Sequence, residues 1–126
     1  AARDALAGYS PVSIVGYCLG GSVAFAAATR LDGFLLSIPY YGGMIHGIIE
    51  EQPRCPVLMY FGEQDHSISP EDVRDIQDAQ PSATIRLVDA QHGFMCDHRA
   101  TYSEDIAKQA WDETLQYLDQ HSGGSK

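Results

Sequence analysis

Four short apolar runs, each separated from the next by a stretch patterned for helix or loop, limit the folds open to this chain. Val12 to Val15 (VSIV), Gly33 to Ile38 (GFLLSI), Pro56 to Gly62 (PVLMYFG) and Thr84 to Val88 (TIRLV) read as strands. The middle two are nearly continuous in apolar residues, the pattern of strands buried on both faces. TIRLV alternates more and is expected at an edge. An Ala-rich helix follows the first strand (SVAFAAATR). Ser69-Pro70-Glu71-Asp72 supplies an N-cap, a proline at the first helical position and acids in the first turn, and Pro81 stops that helix near Gln80. Thr101-x-x-Glu104 reads as a capping box before a long helix to about His121, with Ala107, Trp111, Leu115 and Leu118 as its core-facing stripe. Ala1 to Ala7 reads as a helix end closed by Gly8, Ser10-Pro11 as a turn, and Tyr40 to Arg54 as irregular with one helical turn at Gly47 to Gln52. Strands alternating with helices predict an α/β fold: a three-layer parallel sheet of about four strands with flanking helices.

The 126 residues suffice for one unit or part of one, and Ser122 to Lys126 is expected to be a flexible tail. Seventeen acids against eight bases give a net charge of −9, which repels phosphate backbones and anionic lipid, so neither nucleic acid nor membrane is an expected partner. Cys18, Cys55 and Cys96 form an odd set without a CxxC pair, which favours a reducing, cytoplasmic setting over a disulfide framework. The opening Ala1-Ala2-Arg3-Asp4 lacks the basic start and apolar stretch of a signal peptide, and a helix already running at residue 1 points to a missing upstream segment.

The chemistry concentrates in VSIVGYCLGGSVAFAAA: a strand, Gly-x-Cys-x-Gly-Gly, then a helix. This is the layout of a nucleophile elbow, in which a tight turn thrusts one side chain out at the top of a sheet. Gly16 and Gly20, two before and two after Cys18, suit positions where a Cβ would collide. Cys18 at a helix N-terminus would gain from the dipole and free N–H groups there, with the backbone N–H of Leu19 as an oxyanion donor. A glycine-rich turn around a merely buried cysteine fits the same residues. Two further segments add weight to the catalytic reading. PVLMYFG runs into Glu63-Gln64-Asp65-His66, and TIRLV into Asp89-Ala90-Gln91-His92, so an acid and a histidine fall at the carboxyl ends of strands, where parallel sheets bind ligands. Cys18, Asp65 and His92 then follow the nucleophile–acid–histidine order of α/β-hydrolases.

GYCLGG, PYYGG, FGEQDHSISP, the QHGF loop and the closing AW-x-x-T-L-x-Y-L helix together resemble dienelactone hydrolase, from about Val12 to Leu118. The resemblance covers only the C-terminal half of that family's domain, making residues 1–121 a partial α/β-hydrolase domain. It implies Cys18 as nucleophile, Asp65 as acid and His92 as base. It also implies hydrolysis of a small lactone or activated ester through a thioester, without metal or organic cofactor. Tyr40, Tyr41 and Phe94 are candidates for substrate contact. The spacing of His92, Met95, Cys96 and His98 matches no standard metal site.

Two departures bear on this resemblance. The missing half would hold early strands, a second oxyanion-hole N–H and a glutamate that meets the resting thiol. The strand VSIVG would therefore be an unpaired apolar edge, inviting self-association or a partner chain. The family also has a carboxylate-binding arginine where this chain has Cys96, with Arg99 nearby, so a broader esterase is as compatible as a lactonase. The alternatives are an inactive half-domain acting as a binding module and, more remotely, a thiol-redox protein using Cys18.

Overall fold

The computed structural model describes residues 12–96, 98 and 100–121. The expected helix at Ala1–Ala7, the Ser10-Pro11 turn, Arg99 and the tail lie outside the described residues. The elements run β1 (Val12–Tyr17), α1 (Leu19–Arg30), β2 (Phe34–Tyr40), a 3-10 turn (Ile45–Ile48), β3 (Leu58–Gly62), α2 (Pro70–Ala79), β4 (Thr84–Val88) and α3 (Glu104–His121). The four strands form one parallel sheet in the sequential order β1-β2-β3-β4, with β4 at an edge as its alternation predicts and β1 at the other.

The central strands bury because they carry little else than apolar groups. Leu36, Ile38, Tyr40, Leu58, Met59, Tyr60 and Phe61 are all at most 1% exposed, and each such side chain contributes about 1.5–3 kcal/mol on leaving water. Side chains alternate along a strand, so Ser37 and Tyr40 face opposite sides of β2. Ser37 Oγ donates to the Ala24 carbonyl of α1 at 2.8 Å, while the Tyr40 hydroxyl donates to the Ala110 carbonyl of α3 at 3.1 Å and pairs with Thr114 Oγ1 at 2.5 Å. Helix α2 joins the α1 side: Gln80 Nε2 donates to the Ile49 and Glu51 carbonyls, and Glu51 binds Arg30 of α1. The result is three layers. At the start of α2, Ser69 caps as expected, accepting from the Asp72 N–H at 3.1 Å.

Three local expectations need correction. The buried face of α3 is Ala107, Ala110 and Thr114, whereas Trp111 and Leu115, expected in the core, are 42% and 46% exposed. Both faces have helical spacing. Small Ala110 and Thr114 win because they let the helix approach closely enough for the Tyr40 and Tyr60 hydroxyls to reach the Ala110 carbonyl. The helix starts at Glu104 with the Ala107 N–H bonded to the Ser103 carbonyl at 2.8 Å, so Glu104 sits in the first helical position and Thr101 cannot form a capping box with it. The single turn in the irregular stretch falls at Ile45–Ile48, earlier than expected, beside the tight Gly42 bend. No helix among the described residues is long and apolar enough to cross a membrane.

One ion-pair network gives a pH-dependent latch between α1 and the loop after the 3-10 turn. Glu51 accepts from Arg30 Nε at 2.9 Å, Arg30 Nη2 at 2.7 Å and Thr29 Oγ1 at 2.6 Å, and these hydrogen bonds, Arg30 first, hold its carboxyl down to about 2 from an ordinary 4.5. A carboxyl depressed in the folded state stabilises above its unfolded pKa; on acidification the unfolded chain takes up the proton first. The latch should therefore weaken as pH falls from about 4.5 and be lost by about 2. Thermal unfolding across that range should show a shallower acid limb in Glu51→Gln than in the parent chain.

Candidate active site

The carboxyl ends of the strands carry the chemistry-bearing residues. At the end of β1 the chain turns through Cys18, which caps α1 with φ 56 and ψ −121, a conformation L-residues avoid and that costs about 1–3 kcal/mol. The Cys18 N–H donates to the Tyr40 carbonyl at 3.1 Å, and the Cys18 carbonyl accepts from the Gly21 and Ser22 N–H groups at 2.9 and 3.2 Å. The backbone is thus pinned on both sides of the strained residue. Leu19 opens the helix, a position whose N–H has no carbonyl four residues back within the helix.

The glycines explain why the turn closes. A Cβ on Gly16 would lie 2.0 Å from the Gly20 carbonyl oxygen, as the tight elbow requires. The second squeezed position is not Gly20, where a Cβ would meet nothing within 4 Å, but Gly21, where it would lie 2.3 Å from the Tyr40 carbonyl oxygen. The elbow is pressed onto β2 rather than folded on itself alone.

Asp65 and His92 come together from the loops after β3 and β4. His92 Nδ1 pairs with Asp65 Oδ2 at 2.7 Å, and the carboxylate side chain is fully buried while the imidazole keeps 22% exposure. Asp65 Oδ1 accepts the backbone N–H groups of Ser67 at 2.7 Å and Ile68 at 3.1 Å. A buried carboxylate with three donors is fixed in place, and as acceptor it assigns the imidazole proton to Nδ1, leaving the Nε2 lone pair for a substrate or nucleophile proton. His66, beside the acid, is exposed in its loop.

The aromatic candidates lie differently from expectation. Tyr40 and Phe94 are 0% exposed and Tyr41 is 1%, so none of the three lines an open pocket. Tyr40 is a core residue stacked on Tyr60 at 4.6 Å, because its hydroxyl finds partners in α3 rather than in solvent. Tyr41 lies under the site. Its ring is 4.9 Å from the His92 ring and 5.1 Å from Phe94. Burial, then the neighbouring Cys18, pushes its phenol pKa up, and a hydrogen bond to the Met95 backbone opposes that rise. The exposed rim is instead Tyr17 and Leu19, at 39% and 66%, the two neighbours of Cys18. Their signal was adjacency to the elbow residue, even though the Tyr17 ring stacks on Tyr40 at 4.8 Å.

The sequence model of the Dienelactone hydrolase family matches residues 3–122. The chain belongs to the dienelactone hydrolase family. A relative from Salmonella typhimurium, provisionally named a carboxymethylenebutenolidase, is 28% identical over 125 residues, covering 87% of this chain and 46% of its own. A carboxymethylenebutenolidase from a Pseudomonas species is 27% identical, with 85% and 47% covered. The crystal structure of a provisionally assigned dienelactone hydrolase from Klebsiella pneumoniae superposes with a TM-score of 0.79 at 27% identity, over 86% of this chain and 51% of the other. A dienelactone hydrolase-like promiscuous phosphotriesterase from metagenomic libraries shares the fold with a TM-score of 0.82 at 19% identity, over 98% and 59%. The fold is that of α/β-hydrolases, and the chain spans about half the length of the curated relatives it matches.

The glycine geometry makes a discriminating stability series. Gly16→Ala and Gly21→Ala should each lose about 3 kcal/mol or more, because backbone carbonyls obstruct the new methyl. Gly20→Ala, in open space within α1, should be neutral or gain up to about 1 kcal/mol from helix propensity. Urea denaturation of the three variants measures the order.

Proposed function

We propose that this chain carries the catalytic residues of a hydrolase for small lactones or activated esters, with Cys18 as nucleophile, His92 as base and Asp65 as the group that orients it. The observation that carries the reading is the conformation of Cys18, a non-glycine residue held at φ 56 on a helix N-terminus. Strain of that kind persists only where surrounding bonds over-determine it, and such residues cluster at active sites. The pair of His92 with buried Asp65 supports the same reading, since it leaves Nε2 as the proton acceptor.

In the proposed reaction the thiol proton passes to His92 Nε2 and the thiolate sulfur attacks the ester carbonyl carbon. The resulting oxyanion lies against the start of α1, where the Leu19 N–H donates to it. Collapse breaks the carbon–oxygen bond of the leaving group, which takes the proton from His92, and an acyl thioester remains on Cys18. Water then loses a proton to His92 as it attacks the thioester, and the departing thiolate recovers that proton. Asp65 stays ionised throughout and stabilises the imidazolium. A thiolate is a good nucleophile and a good leaving group, so the leaving oxygen must be that of an enol, phenol or similar stabilised alkoxide; amides are not substrates.

Turnover of p-nitrophenyl acetate tests this. Cys18→Ala and His92→Asn should each lower kcat/KM roughly a hundredfold or more, and the parent chain should show an acyl adduct on Cys18 by mass spectrometry. Turnover that survives in Cys18→Ala, or a parent chain with neither turnover nor adduct, would overturn the proposal and leave a half-domain that binds without reacting.

The open side of β1 supports a second proposal, that another polypeptide segment or a second copy pairs with this strand. β1 bonds only to β2 among the described strands. Unpaired strand edges recruit partners. Sedimentation velocity should reveal concentration-dependent association of the isolated chain. A dilute monodisperse monomer with fully protected Val12 to Val15 amides would refute it.

A further inference from the structure

Tyr41 stands out on grounds independent of the reaction. Apart from Cys18, it is the one non-glycine residue with positive φ among the described residues, at 37. Glycine or asparagine takes such a conformation at lower cost, and a bulky aromatic there marks a position where the side chain itself is needed. Its main chain is held firmly: the Tyr41 N–H donates to the Tyr60 carbonyl at 2.7 Å, and the next residue, Gly42, is packed so closely that a Cβ would meet the Ser22 nitrogen at 2.8 Å.

The ring reaches from there to the histidine loop. It lies 4.9 Å from the His92 imidazole at an interplanar angle of 57°, and edge-on to Phe94 at 5.1 Å. The titratable groups around it are Tyr17 and Cys18 from the end of β1, Tyr40 from β2, and His92 and Cys96 from the loop after β4. The Asp65 hydrogen bond fixes one nitrogen of the imidazole but leaves the ring free to rock about that bond. A second surface is needed to set the direction of Nε2.

We propose that Tyr41 is a positioning residue whose buried ring is the wedge that holds the His92 imidazole toward Cys18. This rests on the Cys18–His92–Asp65 reading and adds the element that fixes the orientation of the base. The flat ring does the work, through its contacts with His92 and Phe94.

The test is the pH dependence of Cys18 alkylation by iodoacetamide, followed on the Cys18 peptide by mass spectrometry, which needs no turnover. A histidine held toward the sulfur lowers the thiol pKa, and losing that alignment by one pH unit cuts the thiolate fraction at neutral pH about tenfold. Tyr41→Asn, which suits the backbone but removes the wedge, should shift the profile upward toward that of His92→Asn, alongside a lower melting temperature from the lost burial of the ring. Tyr41→Leu keeps apolar bulk without a flat face and should shift the profile likewise, which provides the same reading should the asparagine variant fail to fold. Tyr41→Phe keeps the ring and should restore most of the parent profile. A shift in His92→Asn with none in Tyr41→Leu or Tyr41→Asn refutes the wedge alone; no shift in His92→Asn refutes the triad and the wedge with it.

Discussion

The carbonyl of Tyr40 is the fixed point about which the rest of the site is arranged. It accepts the N–H of Cys18 at 3.1 Å and stands where any side chain at Gly21 would have to go. One oxygen therefore ties the strained elbow to the neighbouring strand and sets how closely α1 lies on β2. The parallel register carries Tyr40 alongside Tyr17 on one side and Tyr60 on the other, so the central strand transmits the elbow's position to β3 and, through Gly62 and Val88, to β4. The ends of the outer strands are thereby set relative to Cys18 by backbone hydrogen bonds, the least deformable connections the fold has.

That chain of constraints explains how residues far apart in sequence meet. Asp65 and His92 leave β3 and β4 at matched positions because those strands pair from Leu58↔Thr84 to Gly62↔Val88. A Cβ at Gly62 would lie 2.3 Å from the Ala90 carbonyl oxygen, so the two loops pass each other at backbone contact before the acid and the imidazole face one another. Order in the chain becomes proximity in space only because this crossing admits no side chain.

Much of this was legible in the sequence. Strand identity came from runs such as LMYFG, whose lack of polar residues leaves no other burial pattern, and the positions of Cys18, Asp65 and His92 followed from what comes directly after each strand. What escaped detection depended on distances between elements. Gly20 and Gly21 are indistinguishable as letters, and only the approach of β2 makes the second indispensable. Two stripes on α3 had helical spacing; the hydroxyls of Tyr40 and Tyr60, which seek the Ala110 carbonyl, chose the smaller one and left Trp111 and Leu115 at the surface. Tyr40, Tyr41 and Phe94 read as candidates for substrate contact, yet all three are buried.

The distribution of exposure around the candidate site divides the demands of the proposed reaction in two. The bonds around the proposed base and nucleophile are internal to the described residues: the Asp65 carboxylate has three donors in His92, Ser67 and Ile68, and the elbow has its bonds in Tyr40, Gly21 and Ser22. The side chains around Cys18 are open instead, with Tyr17, Leu19 and Met44 at 39%, 66% and 64% exposure. An acid–base pair in a low-dielectric setting needs only its own partners to hold its geometry, whereas excluding water from a reacting ester needs walls on every side. The half-length chain meets the first requirement with residues it contains. The second would fall to the segment or copy proposed to pair along β1, which bonds only to β2 among the described strands.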